Sequence, residues 1–153
     1  MPEVALWLWE RLDAAGLESV PKTSGSKGLQ VYVPLNTPVG YEQTKGFARD
    51  MAERLESDNP GRVISKMSKS LRSGKVFVDW SQNDVHKTTV CVYSIRARER
   101  PTVSTPLRWA EVRDAVKRRD SRRLTFLTDA ALQRADKWGD LFKPVLKLRQ
   151  RLR

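Results

Sequence analysis

One cysteine and one histidine occur in 153 residues, and aromatic side chains make up 8% of them. The lone thiol, Cys91, excludes an intrachain disulfide framework. Set in an apolar, strand-like run, it reads as a small core residue in a reducing compartment. His86 falls in a polar turn, where a structural or exposed role is the expectation rather than catalysis. No apolar run approaches the length of a membrane span, and the N-terminus lacks the basic start and small-residue cleavage site of a signal peptide. The expectation is a cytoplasmic protein with no membrane contact. The five tryptophans sit at periodic apolar positions and read as packing residues rather than a base-stacking platform, with Trp80 beside Asp79 the one of interest.

Acidic residues are the other scarcity. Eighteen Asp and Glu against 29 Lys and Arg give a formal charge of +11, which points to a polyanionic partner, nucleic acid first. The excess is uneven: residues 1–90 hold 12 basic and 11 acidic side chains, whereas residues 91–153 hold 17 and 7. Length and a 39% hydrophobic content fit a single domain, 1–153, that buries a real core.

Ala5, Leu8, Trp9, Leu12 and Ala15 recur at helical spacing from Pro2, and Gly16 stands where that helix stops. Residues 22–28, Lys-Thr-Ser-Gly-Ser-Lys-Gly, form a polar loop leading into the alternating Leu29, Val31, Val33 and Leu35, a strand. Phe47, Ala48, Met51, Ala52 and Leu55 share one face of a second helix, about Thr44 to Glu56, which Asn59-Pro60-Gly61 ends. Residues 75–80 and 88–95 read as two strands of a hairpin. Beyond Pro101 the pattern turns helical: Trp109, Val112 and Val116, then Ala131, Leu132 and Ala135 behind a Thr128-Asp129 cap, then a basic amphipathic end from Leu141. The class is α+β, a central antiparallel or mixed sheet flanked by helices, with a helical basic C-terminal end.

The 22–28 loop, with its glycines, hydroxyls and two lysines, lets backbone N–H groups and ammonium ions approach phosphate oxygens, although an ordinary turn has the same composition. Asp79 closes an apolar strand and is either a metal ligand or a strand-end cap. Arg96 and Arg98 have period-two spacing, so a strand would point both from one face to grip a triphosphate or a DNA backbone; solvated arginines are the alternative.

Taken in order, Lys22-Thr-Ser-Gly-Ser-Lys-Gly-Leu-Gln-Val-Tyr-Val-Pro-Leu35, Lys75-Val-Phe-Val-Asp-Trp-Ser-Gln-Asn83 and Tyr93-Ser-Ile-Arg-Ala-Arg98 resemble the polymerase domain of bacterial ligase D. The resemblance continues through Val103-Ser-Thr-Pro-Leu-Arg-Trp109 and the segment from Gly139 to Leu152. It implies a fold of the archaeo-eukaryotic primase superfamily, with an RNA-recognition-motif-like sheet, that adds nucleotides at DNA ends in non-homologous end joining. By the same resemblance Ser24, Gln30, Arg96 and Arg98 hold the incoming nucleoside triphosphate and Asp79 is the catalytic metal ligand for Mn or Mg; from the loop's own composition Lys27 is expected to join the phosphate contacts and Lys22 to contact DNA.

Two departures stand out. The family's phosphate-binding histidine is Gln30, which offers a neutral hydrogen bond but no imidazolium charge. The family's Asp-x-Asp motif lies upstream of its first helix, where this chain starts, so Asp79 is expected to lack two companion metal carboxylates. Weak or absent activity alone is therefore expected, with a DNA- or nucleotide-binding remnant as the alternative. DNA ends or gaps, an upstream half-domain, an ATP-dependent DNA ligase and a Ku-type protein are the implied partners, at the bacterial nucleoid.

Overall fold

In the computed structural model, which describes residues 1–152, the first helix, α1 (Pro2–Ala14), starts with proline in its first turn, where the missing N–H costs nothing. It buries Val4, Ala5 and Leu12. It ends as expected: Gly16, at φ 71°, donates to Asp13 O, and Leu17 N reaches Leu12 O, which together satisfy carbonyls of the last turn.

The chain divides into two units, Met1–Asn36 with Val90–Gln150, and Thr37–Thr89 with Arg151 and Leu152. In the first unit, strand β1 (Val20–Thr23) pairs antiparallel with β2 (Leu29–Tyr32), Lys22 opposite Gln30 and Thr23 opposite Leu29. β5 (Ile95–Arg96) pairs antiparallel with β6 (Thr102–Val103). The segment from Thr102 to Leu107 joins these hairpins: Thr23 N donates to Thr105 O at 2.8 Å, Leu107 N to Pro21 O at 2.9 Å, and Val103 N to Phe126 O at 2.9 Å. Helices α3 (Trp109–Lys117), α4 (Thr128–Trp138) and α5 (Pro144–Lys147) complete this unit.

Its core gathers Ala5, Leu107, Val112, Ala115 and Leu124, with Leu29, Trp109 and Phe126 packed against them. Burying each leucine or valine contributes about 1.5–3 kcal/mol. Trp109 donates its indole N–H to Ser19 O at 2.9 Å and lies 5.7 Å from the Trp9 ring, so both act as packing residues.

In the second unit, α2 (Tyr41–Asp58) buries Ala52 and Leu55 completely. Strands β3 (Val63–Ile64) and β4 (Val76–Phe77) pair in parallel. Trp80 donates to Ser65 O at 3.0 Å, tying the turn after β4 to the end of β3.

The α+β class stands, with the strands grouped as three two-stranded ladders. Several local expectations change. No hairpin joins residues 75–80 to 88–95, because β4 pairs with β3, a run too short to register in an alternating pattern. The hairpin is instead β5–β6. Residues 88–92 form no ladder, which leaves Cys91 exposed rather than buried. Thr128 is the first residue of α4 rather than its cap, and the basic C-terminal end has a single helical turn, since Pro144 starts it and Leu148 is extended. Beyond it, Gln150 holds the chain to Pro34 O and Glu18 O. Among the described residues, no helix is long and apolar enough to cross a membrane.

Candidate nucleotide-binding site

The Ser24–Gly28 loop closes on itself. Ser24 N donates to Gly28 O at 2.9 Å, while Ser24 Oγ accepts from Ser26 N at 3.2 Å and Gly28 N at 3.1 Å. Two backbone amides therefore converge on the Ser24 hydroxyl oxygen, which fixes the loop's shape. Lys27 stands exposed at the tip.

Gly25 fixes where the loop sits. Its φ is 67°, and a Cβ there would lie 2.6 Å from Arg96 Cγ and 3.0 Å from Ser104 N. Only glycine allows both the left-handed backbone and this close approach to β6. Thr102 Oγ1 donates to Gly25 O, which pins the loop from the other side.

The same packing brings the two arginines to the loop. Arg96, on β5, lies against Gly25, and Arg98 donates from Nη2 to Ser26 Oγ. Period-two strand geometry is not what aligns them, because β5 ends at Arg96 and Arg98 lies beyond it. The structure thus gathers Ser24, Lys27, Arg96 and Arg98 around one loop.

Lys22 is placed differently. It belongs to β1 rather than the loop, is completely buried, and donates to Ser104 Oγ at 2.6 Å and Val90 O at 2.9 Å. Its ammonium is not presented to a phosphate arriving from solvent. Burial, reinforced by the Arg96 charge and opposed by Cys91, pulls its pKa from 10.5 down to about 8. Gln30, its cross-strand partner, has a buried Oε1 with no hydrogen-bond partner.

Sequence reasoning overlooked the hydroxyl run Ser104–Thr105 that follows β6. Ser104 Oγ donates to Thr23 O at 2.9 Å, and Thr23 Oγ1 both donates to Val103 O and accepts from Thr105 N. The one signal was the Ser104-Thr105 pair amid apolar residues, which hydroxyls enter only when they have partners.

In the second unit, Asp79 caps the 3-10 turn Trp80–Gln82. Its Oδ1 accepts from Ser81 N at 3.1 Å and Ser81 Oγ at 2.6 Å, and its Oδ2 from Gln82 Nε2 at 3.0 Å. Partial burial alone would raise its pKa, but these bonds and the Lys87 charge outweigh it and hold the carboxyl below 3.8. Lys87 also donates to Ser81 Oγ at 2.6 Å. Gln82 and Lys87 were not anticipated; the aspartate–serine spacing of two, typical of an Asx turn, was the available signal. His86 is exposed, as expected, with its amide on Asp84 Oδ1.

A two-metal centre needs several carboxylates around its cations. The described residues contain no group of three His, Cys, Asp or Glu side chains able to hold a metal ion. Asp79 is anionic and correctly typed for Mn or Mg. By itself it does not fit a two-metal site.

Residues 1–142 match the family model described as "LigD, primase-polymerase domain". The chain is 47% identical over 129 residues to the multifunctional non-homologous end joining protein LigD of Mycolicibacterium smegmatis, covering 84% of this chain and 16% of that protein. It is 37% identical over 106 residues to the bifunctional LigD of Bacillus subtilis, covering 69% and 17%. The solved polymerase domain of Mycobacterium tuberculosis ligase D in complex with DNA superimposes with a TM-score of 0.86 at 43% identity, covering 97% of this chain and 50% of that one. The chain thus spans less than a fifth of these curated relatives and half of that polymerase structure. On the match of motifs, sequence and fold together, the chain belongs to the LigD primase-polymerase domain family.

Proposed function

We propose that this chain serves DNA repair by non-homologous end joining as part of a metal-dependent nucleotidyltransferase that adds nucleotides at DNA ends or gaps. The observation that carries the reading is the closure of the Ser24–Gly28 loop against Arg96 and Arg98. The two guanidinium groups suit the oxygens of a triphosphate, since guanidinium donors match phosphate geometry, while the Ser26 and Gly28 amides are engaged by Ser24 Oγ and fix the loop. Ser24 and Lys27 act at the same loop. Gln30 supplies a neutral amide and therefore weaker phosphate binding than the histidine of the resemblance.

Asp79 is the proposed metal ligand and would hold Mn or Mg only together with further carboxylates, the metal then supplying charge stabilisation for phosphoryl transfer. A second reading, a module that binds DNA or nucleotide without chemistry, is favoured by the absence of a three-ligand cluster among the described residues. Companion carboxylates from an upstream half-domain would reconcile the two readings. An ATP-dependent DNA ligase and a Ku-type end-binding protein are the proposed functional partners, at the bacterial nucleoid.

Primer extension on a gapped duplex with manganese and a labelled ribonucleotide separates them. Incorporation that Asp79→Ala abolishes supports the enzyme. No incorporation by a chain that still binds DNA supports the binding module.

A further inference from the structure

Positions 108–123, which span α3, its flanking residues and the start of the 3-10 turn Ser121–Leu124, hold seven basic residues and three acidic ones. Each carboxylate is already matched. Glu111 pairs with Arg134 and Arg108, Asp114 with Arg118 and Arg123, and Asp120 with Arg122. Apart from the largely buried Glu111–Arg134 pair, such exposed pairs contribute little stability individually, but they identify the surplus. Arg113, Lys117 and Arg119 are exposed, and none has a carboxylate partner among the described residues. Arg113 and Lys117 stand one turn apart on the same helical face. Lys117, in the last turn of α3, also complements the helix dipole, and the Arg113 guanidinium lies over the Trp9 ring at 5.2 Å, a contact that leaves its charge available to an anion; neither explanation reaches Arg119.

Arg119 carries a second, independent observation. Helix α3 closes as α1 does: Arg119 N donates to Val116 O at 3.0 Å and Asp120 N to Ala115 O at 3.0 Å. At the equivalent position α1 has Gly16 at φ 71°, and α4 ends at Gly139 at φ 69°. In α3 an arginine takes that left-handed backbone, at φ 53°. Glycine is the residue that adopts this conformation without steric cost. Strain kept at an exposed, unpaired cation points to a role for the cation.

We propose that the exposed face of α3 and its C-terminal turn, centred on Arg113, Lys117 and Arg119, binds the phosphodiester backbone of duplex DNA. The assignment deepens the repair reading, since it takes DNA as the polyanion this chain meets, and it places that contact outside the nucleotide loop. No exposed large hydrophobic residue falls between positions 108 and 123, so the face lacks the anchors of a protein interface or a membrane-inserting helix. Phosphate contacts require only fixed positive charge and N–H donors.

The test is duplex binding by fluorescence anisotropy across a salt series, with wild type, the triple variant Arg113→Gln/Lys117→Gln/Arg119→Gln, and Arg119→Gly. Glutamine keeps the aliphatic stems, and far-UV circular dichroism confirms folding. The slope of log affinity against log salt should fall by roughly two to three in the triple variant and by about one in Arg119→Gly. Arg119→Gly should also melt at a higher temperature than wild type, so that weaker binding accompanies a more stable fold. An unchanged slope in the triple variant overturns the proposal. So does an equal loss in the charge-matched triple Arg54→Gln/Lys66→Gln/Lys69→Gln, or a wild type that binds no duplex. Triphosphate titration of the same proteins tests the loop separately: wild type that binds duplex through α3 but no nucleotide would sink the nucleotidyltransferase reading and leave this one standing.

Discussion

Lys22 and Gln30 face each other across the β1–β2 ladder, the ammonium held by Ser104 and Val90, the amide oxygen buried without a partner. One side of the pair is a completed structural tie, and the other is an acceptor still open beside the loop that precedes β2.

The Lys22 tie makes stability depend on alkaline pH. Its folded pKa of about 8 lies below the ordinary 10.5, so between these values the unfolded chain binds more protons and stability rises with pH. For this group alone the rise is on the order of 3 kcal/mol. Tyr32 and Tyr93 act oppositely: burial, with the Cys91 charge at Tyr32 and the Asp140 hydrogen bond at Tyr93, raises both pKa values above 10.0. Their contribution falls once the unfolded tyrosines ionise. Urea unfolding from pH 7 to 11 should show stability climbing above pH 8 and turning down beyond pH 10, and Lys22→Met should remove the climb.

Gly25→Ala should destabilise the first unit by about 1–3 kcal/mol, from left-handed strain and overpacking together. The new Cβ would collide with Arg96 Cγ and crowd Ser104 N. Thermal melting measures the first effect. Triphosphate titration measures the second, because displacement of Arg96 should weaken binding even where the variant remains folded.

Glu111 and Arg134 form a bidentate pair that also holds Pro106 O. Removing one partner strands the other, so Arg134→Ala should cost roughly 3 kcal/mol, while Arg134→Ala/Glu111→Leu recovers part of it. Burial alone would raise the Glu111 pKa, but the Arg134 hydrogen bonds, the Arg108 backbone bond and both arginine charges outweigh it and hold the carboxyl below 4.5. A depressed carboxyl stabilises above its unfolded pKa. Its contribution should be lost as pH falls from about 4.5 through the folded value, and Arg134→Ala should flatten that acid limb in chemical unfolding.

Much of the site was legible in the sequence because its parts are local. The loop's composition had a mechanism readable from one segment, whereas the Arg96/Arg98 spacing pointed to the right residues for the wrong reason, since Arg98 lies beyond β5. Lys22 was misplaced because β1 is four residues long and its ammonium donates to Ser104 and Val90, partners 82 and 68 positions away. Cys91 was misplaced for the converse reason: an apolar run from Thr88 reads as a strand, but the partner expected at Val76–Phe77 is taken by Val63–Ile64. Pairings between two-residue strands follow from tertiary packing, not from alternation.

The most direct measurement is equilibrium binding of a fluorescent ribonucleoside triphosphate to wild type, Arg98→Ala and Gln30→His. Wild type should bind, Arg98→Ala should lose roughly ten- to hundredfold in affinity, and Gln30→His should gain affinity as pH falls below about 6.5. Binding by Arg98→Ala equal to wild type, with no pH-dependent gain in Gln30→His, would contradict the placement of the triphosphate at this loop.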